Sequence, residues 1–187
     1  MKLIQMHTID DLIDGCKAAN RLAQQKLYNH FSGKMFAICL RYAKDQMNAE
    51  DILQISFVKI FTKIKDFKGD GSFEGWMRKV VVNTAIEHYR KNIKLLQVAS
   101  RENVEVDLAD DTIFDKLEVN DLLKLVNNLP DGYRLVFNMY AIEGYSHKEI
   151  AGLLKISEGG SKSQLSRARQ ILKTEIQKRE VSYAKNY

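Results

Sequence analysis

Seven side chains near the C-terminus have the chemistry of a nucleic-acid reader. Ser161, Lys162, Ser163, Gln164, Arg167, Arg169 and Lys173 fall at spacings that a helix would carry on an outward face. Hydroxyl and amide groups match the donors and acceptors of base edges, while Lys and Arg match phosphates or guanine. From His147 to Arg179 eight Lys and Arg stand against three Glu, an excess of five that equals the formal net charge of the whole chain, +5. Charge alone is also what a solvated helical hairpin carries. The caps and the turn around these residues favour DNA.

Other chemistry-bearing types lack productive spacing. His7, His30, His88 and His147 are scattered, so no metal site is expected. Asp66-Phe67-Lys68-Gly69-Asp70-Gly71 begins like a calcium loop, but Lys68 and Met77 occupy positions that need oxygen ligands. There is no phosphate-binding loop, no GxSxG and no nucleophile beside a base. The chain is therefore not expected to be an enzyme, and no cofactor or small-molecule substrate is implied. Cys16 and Cys39 have no CxxC spacing and read as reduced thiols.

The flanking sequence supplies a scaffold for the reader. Tyr133 to Ala141 reads as a helix closed by the turn Glu143-Gly144-Tyr145. Ser146-His147-Lys148-Glu149 is a capping box, opening a helix that buries Ile150, Ala151 and Leu154. After a turn at Lys155-Ile156, Ser157 is a second N-cap, with Glu158 near the positive helix end. The last helix turns Leu165, Ala168, Ile171, Leu172 and Ile176 inward. Two capped helices across a short turn, the second one basic, read as a helix-turn-helix.

Upstream, helical periodicity runs from Asp10 to Tyr42 through Leu22, Leu27, Phe31, Met35 and Ile38. Asn48 reads as the next N-cap, followed by Ile52, Ile55, Val58, Phe61 and Ile64 at spacings of three and four. Lys65 to Gly71 is a loop. Ser72 then caps a helix that carries Trp76, Val80, Asn83, Ala85, Ile86 and Tyr89 and ends among Arg90, Lys91 and Lys94. Between Arg101 and Asp121 eight acids face only Arg101 and Lys116, the composition of a tether. Helical pattern resumes at Leu117, Leu122, Leu125 and Val126 and breaks at Leu129-Pro130-Asp131-Gly132. The expected architecture is all-α: two small helical domains, 1–94 and 117–187, joined by an acidic linker at 95–116.

The totals agree. The chain has 187 residues, 45% of them apolar and 28% charged, enough for two small cores and too apolar for disorder. Asp10, Asp11 and Asp14 interrupt the N-terminus and no apolar run of about 18 residues occurs, so neither a secretion signal nor a membrane span is expected. The expected location is cytoplasmic.

Leu129-Pro130-Asp131-Gly132-Tyr133-Arg134-Leu135-Val136-Phe137, then Glu143 to Ala151, Ile156 to Gly159 and Lys162 to Arg169, resemble region 4 of bacterial sigma factors. Independently, Ala49-Glu50-Asp51-Ile52-Leu53-Gln54 with Phe57, Phe67, Phe73, Trp76, Asn83, Ala85 and Arg90 resemble region 2. No room for a region 3 domain lies between the blocks, and no acidic extension precedes the first. That layout resembles the extracytoplasmic-function (ECF) group of the sigma-70 family.

The resemblance implies binding to core RNA polymerase as a monomer in the holoenzyme, recognition of −35 and −10 promoter DNA, and strand opening. It also implies an anti-sigma factor, membrane-bound for many members. Carried over by position, the polymerase surface falls on Asp51, Gln54 and Phe57. The −10 surface falls on Phe67, Lys68, Gly69 and Ser72 of the loop and on Lys79, Asn83, Arg90 and Lys91 of the helix. The −35 reader falls on Ser161, Lys162, Ser163, Gln164, Arg167 and Arg169. Two positions depart from the pattern: Ser56 replaces a usual acid, and Gly159-Gly160 stands where glycine-threonine is more usual. A dimeric regulator that uses the same helix-turn-helix is the rival reading, and residues 48–94 argue against it. A module that only binds other proteins is a third.

Overall fold

The computed structural model describes residues 8–99 and 119–184, with side chains described at 8–92 and 123–178. Leu117 and most of the acidic linker lie outside the described residues. The expected all-α fold holds: every described element is a helix or helical turn. Packing divides the chain into two units, Met1–His88 and Tyr89–Tyr187.

The first unit contains α1 (Ile9–Lys17), α2 (Arg21–Tyr42), α3 (Gln46–Lys63), a 3-10 turn (Ile64–Asp66) and the start of α4 (Phe73–Ala99). The single helical stretch expected from Asp10 to Tyr42 is two helices. Ala19 adopts a left-handed conformation (φ 56°), and the amides of Ala19 and Asn20 close onto the carbonyls of Cys16 and Gly15. That pairing is a Schellman ending, which usually needs glycine at the left-handed position. Asn20 then caps α2, its Oδ1 accepting the amides of Leu22 and Ala23 at 2.9 and 3.1 Å.

A second correction concerns α3. Asp45, not Asn48, is its N-cap: Asp45 Oδ1 accepts the Asn48 amide at 2.8 Å, so Asn48 lies inside the first turn. The buried stripe of α3 is Ala49, Ile52, Leu53, Ser56, Phe57 and Ile60, while Ile55 and Val58 face solvent. These residues pack with Leu27, Phe31, Met35, Met77, Val81 and Ile86 into the core of the unit. Cys16 and Cys39 are buried free thiols, and burial pushes them up to about 11 and about 12, so both stay protonated. The helix opened by Ser72 runs past Lys94 to Ala99.

The second unit holds α5 (Val119–Asn127), α6 (Asp131–Phe137), a π-helical turn (Asn138–Ile142), α7 (His147–Leu154) and α8 (Glu158–Ala184). The helix expected from Tyr133 to Ala141 thus begins earlier and changes pitch at Asn138. Leu125, Val126, Leu129, Ala168 and Leu172 form a core onto which Tyr133, Phe137, Ile171 and Ile176 pack. Arg134 is buried at the joint of α5 and α6, donating to the Asn127 carbonyl at 3.0 Å and to Asp131 Oδ1 at 2.9 Å. It thereby satisfies a carbonyl at the C-terminus of α5.

The capping box of α7 forms as read. The Glu149 amide donates to Ser146 Oγ at 3.3 Å, and Glu149 Oε2 accepts the Ser146 amide at 2.8 Å. Bonds from the Ser146 hydroxyl and then its amide hold the Glu149 carboxyl below the usual range. A depressed folded value means the contribution is present above the ordinary Glu range and is lost as pH falls through the folded value. Ser146→Ala removes both bonds of the hydroxyl and should destabilise this unit at neutral pH. The deficit should shrink in acid, as denaturant unfolding of this unit across pH would record.

Candidate nucleic-acid interface

Helix α8 is presented by two caps and a tight turn. Lys155 ends α7 in the left-handed region (φ 57°), and Ser157 Oγ accepts the Gly160 amide at 2.9 Å to start α8. A Cβ on Gly160 would lie 3.1 Å from that same Oγ, so the second glycine of the pair keeps the cap uncrowded. At the other end of α7, Gly144 takes φ 77° in the turn before Ser146, a conformation glycine adopts without strain.

Along α8, Ser161, Leu165, Ala168 and Leu172 are buried, which sets the opposite face outward. Ser161 is therefore not a reader, contrary to the sequence expectation. It is fully buried, and its Oγ pairs with His147 Nδ1 at 2.9 Å, joining α8 to α7. Gln164 also turns sideways. It is half-buried, its amide packs over Gly132, and its Oε1 has no hydrogen-bond partner. Ser161 lies on the buried face with Leu165, Ala168 and Leu172, and Gln164 lies at its edge, between that face and the outward stripe.

Lys162, Ser163, Arg167 and Arg169 are exposed, as expected. Lys162 pairs with Glu158 at 2.9 Å, an exposed contact that DNA could displace at little cost. Arg167 donates to the Tyr133 hydroxyl at 3.2 Å, a bond that raises its pKa. Arg169 lies over the Tyr140 ring. Ser166 and Gln170 share the exposed stripe with Ser163, and sequence reasoning missed them. Their signal was available: counting from buried Leu165 and Ala168, they fall on the far side of the helix.

In the first unit the loop and α4 form a second polar surface. Gly69 and Gly71 take φ 86° and 93°, so the loop from Phe67 to Ser72 turns through conformations that other residues resist. Lys68, Gly69 and Ser72 are exposed, and Ser72 Oγ accepts the Gly75 amide at 3.0 Å. Phe67 is half-buried in an aromatic cluster with Phe73 and Trp76, at centroid distances of 5.1 and 5.8 Å. It anchors the loop as much as it lines it. Lys79 and Asn83 are exposed at a spacing of four, while Arg90 (half-buried) and Lys91 (exposed) fall in the second unit, where Arg90 donates to the Leu153 carbonyl at 3.5 Å. Glu74 and Glu87, the acids of α4, are bound by Lys34 at 2.8 Å and Lys59 at 2.6 Å, which removes negative charge beside this face.

On α3, Asp51 and Gln54 are exposed, but Phe57 is not. It is 3% exposed, packed between Tyr28 and Phe61 at 4.6 and 5.8 Å, and belongs to the core. Ser56 is fully buried and donates to the Ile52 carbonyl at 2.6 Å, so its hydroxyl is satisfied within α3. Sequence reasoning missed the residues that do share the face of Asp51: Met47, Ile55 and Val58, at 75%, 42% and 66% exposure.

Two family models match the chain. The model "Sigma-70 region 2" matches residues 27–94 and the model "Sigma-70, region 4" matches residues 120–172. Among curated relatives, the ECF RNA polymerase sigma-E factor of Haemophilus influenzae is 25% identical, over 89% of this chain and 94% of the relative. The ECF RNA polymerase sigma factor SigM of Bacillus subtilis is 28% identical, over 79% of this chain and 91% of the relative. Among solved structures, the fold resembles the sigma factor RpoE from Bartonella quintana, solved in complex with the anti-sigma factor NepR. The TM-score is 0.52 at 20% identity, covering 82% of this chain and 96% of that one.

Proposed function

The chain belongs to the sigma-70 family, as an ECF-type member, and on that premise we propose how its two units divide promoter recognition. It is an alternative sigma factor, which binds core RNA polymerase, directs it to −35 and −10 elements and aids promoter melting. The observation that carries the division of labour is the exposed polar and basic stripe of α8, held outward by two caps on a unit that matches region 4.

Residues 117–187 are the −35 module. Lys162, Ser163 and Arg167 meet DNA together with Ser166 and Gln170, while Ser161 and Gln164 support the helix from behind. Residues 1–94 are the polymerase and −10 module. Lys68, Gly69 and Ser72 form the loop that receives an unstacked base, with Phe67 anchoring it, and Lys79, Asn83, Arg90 and Lys91 track the strand. Unstacking costs only a few kcal/mol once a duplex is opening, so an exposed loop over an aromatic base is suited to the task. Asp51 and Gln54 meet the polymerase, and Phe57 acts through the core. Residues 95–116 tether the two modules. The protein works in the cytoplasm as one copy per holoenzyme, the polymerase supplies the chemistry, and an anti-sigma protein holds the factor inactive. No described helix is long and apolar enough to cross a membrane.

Transcription in vitro with bacterial core RNA polymerase and fragmented genomic DNA tests this reading. Discrete transcripts that require both proteins are expected. Silence across the genome, with tight binding of the protein alone to a palindrome, would make it a conventional dimeric regulator instead.

A further inference from the structure

A three-part contact joins the π-helical turn, α7 and α8. Ser161 of α8 is fully buried and holds His147 Nδ1 at 2.9 Å, which fixes the imidazole at the start of α7. That imidazole stacks on the ring of Tyr140, with centroids 4.5 Å apart and planes 22° apart. The guanidinium carbon of Arg169, back on α8, lies 5.7 Å from the centre of the same Tyr140 ring. Tyr140 stands in the π-helical turn Asn138–Ile142, whose wider pitch takes it out of the regular phase of α6. It is 37% exposed, so the ring stands at the surface.

We propose that Tyr140 is a positioning residue that holds Arg169 ready for a DNA phosphate, an inference that rests on α8 being the DNA-facing helix. Arg169 is one residue, or about 100° of helix, away from Gln170 on the outward stripe. A cation on the flank of a reading helix meets the phosphate backbone rather than base edges. A free arginine on an exposed helix samples many rotamers, and ordering it at a phosphate costs entropy. A ring that already carries the guanidinium removes part of that cost, and a planar guanidinium suits an aromatic face. The interaction uses the ring and not the hydroxyl. Ser161 and His147 hold the ring, which gives the unexpected burial of Ser161 a purpose.

The test uses the full chain and a 30-base-pair duplex of random sequence, with affinity followed by fluorescence anisotropy as KCl is raised. Each phosphate contact contributes about one unit to the slope of log affinity against log salt. Tyr140→Leu and Arg169→Ala should each reduce the slope by about one, and the double variant by no more than either alone. Tyr140→Phe should retain the parent slope. Tyr140→Gln is a second ring-less variant in case the leucine variant melts early by circular dichroism. A parent slope in the ring-less variants would overturn the inference, as would additive losses in the double variant or an equal loss in Tyr140→Phe. A parent that binds no duplex even when assembled with core RNA polymerase would remove the DNA-face reading beneath it, and a binding parent with indifferent Tyr140 variants would remove this inference alone.

Discussion

Ile150→Ala is expected to unfold the C-terminal unit at moderate temperature and to leave the N-terminal unit folded. Ile150 is fully buried and is the one buried residue of α7. A helix of that length is not stable in isolation, so tertiary contacts hold it. Truncating a buried Ile to Ala costs about 2–5 kcal/mol. A small domain has only about 5–15 kcal/mol in all. The N-terminal unit has its own core around Leu27, Met35, Ile52 and Met77, so its stability does not depend on Ile150. Hydrogen exchange would show it: amides of α7 and α8 should lose protection while those of α2 and α3 keep theirs. Protected α7 amides in the variant would assign the anchoring to half-buried Leu153 and Leu154 instead.

The same physics explains what could be read in advance. Ser146 with Glu149, and Ser157 before Glu158, are local signals, because a cap bonds to amides two or three residues away. The boundaries of α7 and α8 were legible for that reason. Ala19 gave no such signal, since alanine favours helix and takes a left-handed conformation only when packing on both sides demands it. Asn48 misled because a better cap, Asp45, lies a turn earlier and apolar spacing does not tell the two apart. Ser161, Gln164 and Phe57 share one kind of error. Residue type and family position marked them as contacts, but burial depends on where a helix axis lies within its unit. An offset of a fraction of a turn exchanges a reader for a support. Ile55 and Val58 show the reverse: their apolar spacing with Ile52 marks a helix but gives no sign that both face solvent.

That reversal leads to the sharpest test of the first unit. Met47, Asp51, Ile55 and Val58 recur at spacings of four, four and three, one face of α3, with Gln54 beside them. Aligned exposed apolar residues on a small helical unit indicate a partner surface, and a carboxylate among them gives the contact register and charge preference. Val58→Arg places a charge in that stripe at a position 66% exposed, so the fold should be unaffected. Affinity for core RNA polymerase should fall by about tenfold to a hundredfold, or about 1.4–2.8 kcal/mol, the range of an interface hot spot. Phe57→Ala is the contrasting variant. It should cost about 3–5 kcal/mol of folding stability by emptying the site between Tyr28 and Phe61, so any loss of polymerase binding would follow its loss of structure. Measuring melting temperature and polymerase affinity on both separates the roles. A Val58→Arg protein that melts like the parent and still captures polymerase at full strength would move the contact off this face of α3, and Asp51 and Gln54 with it.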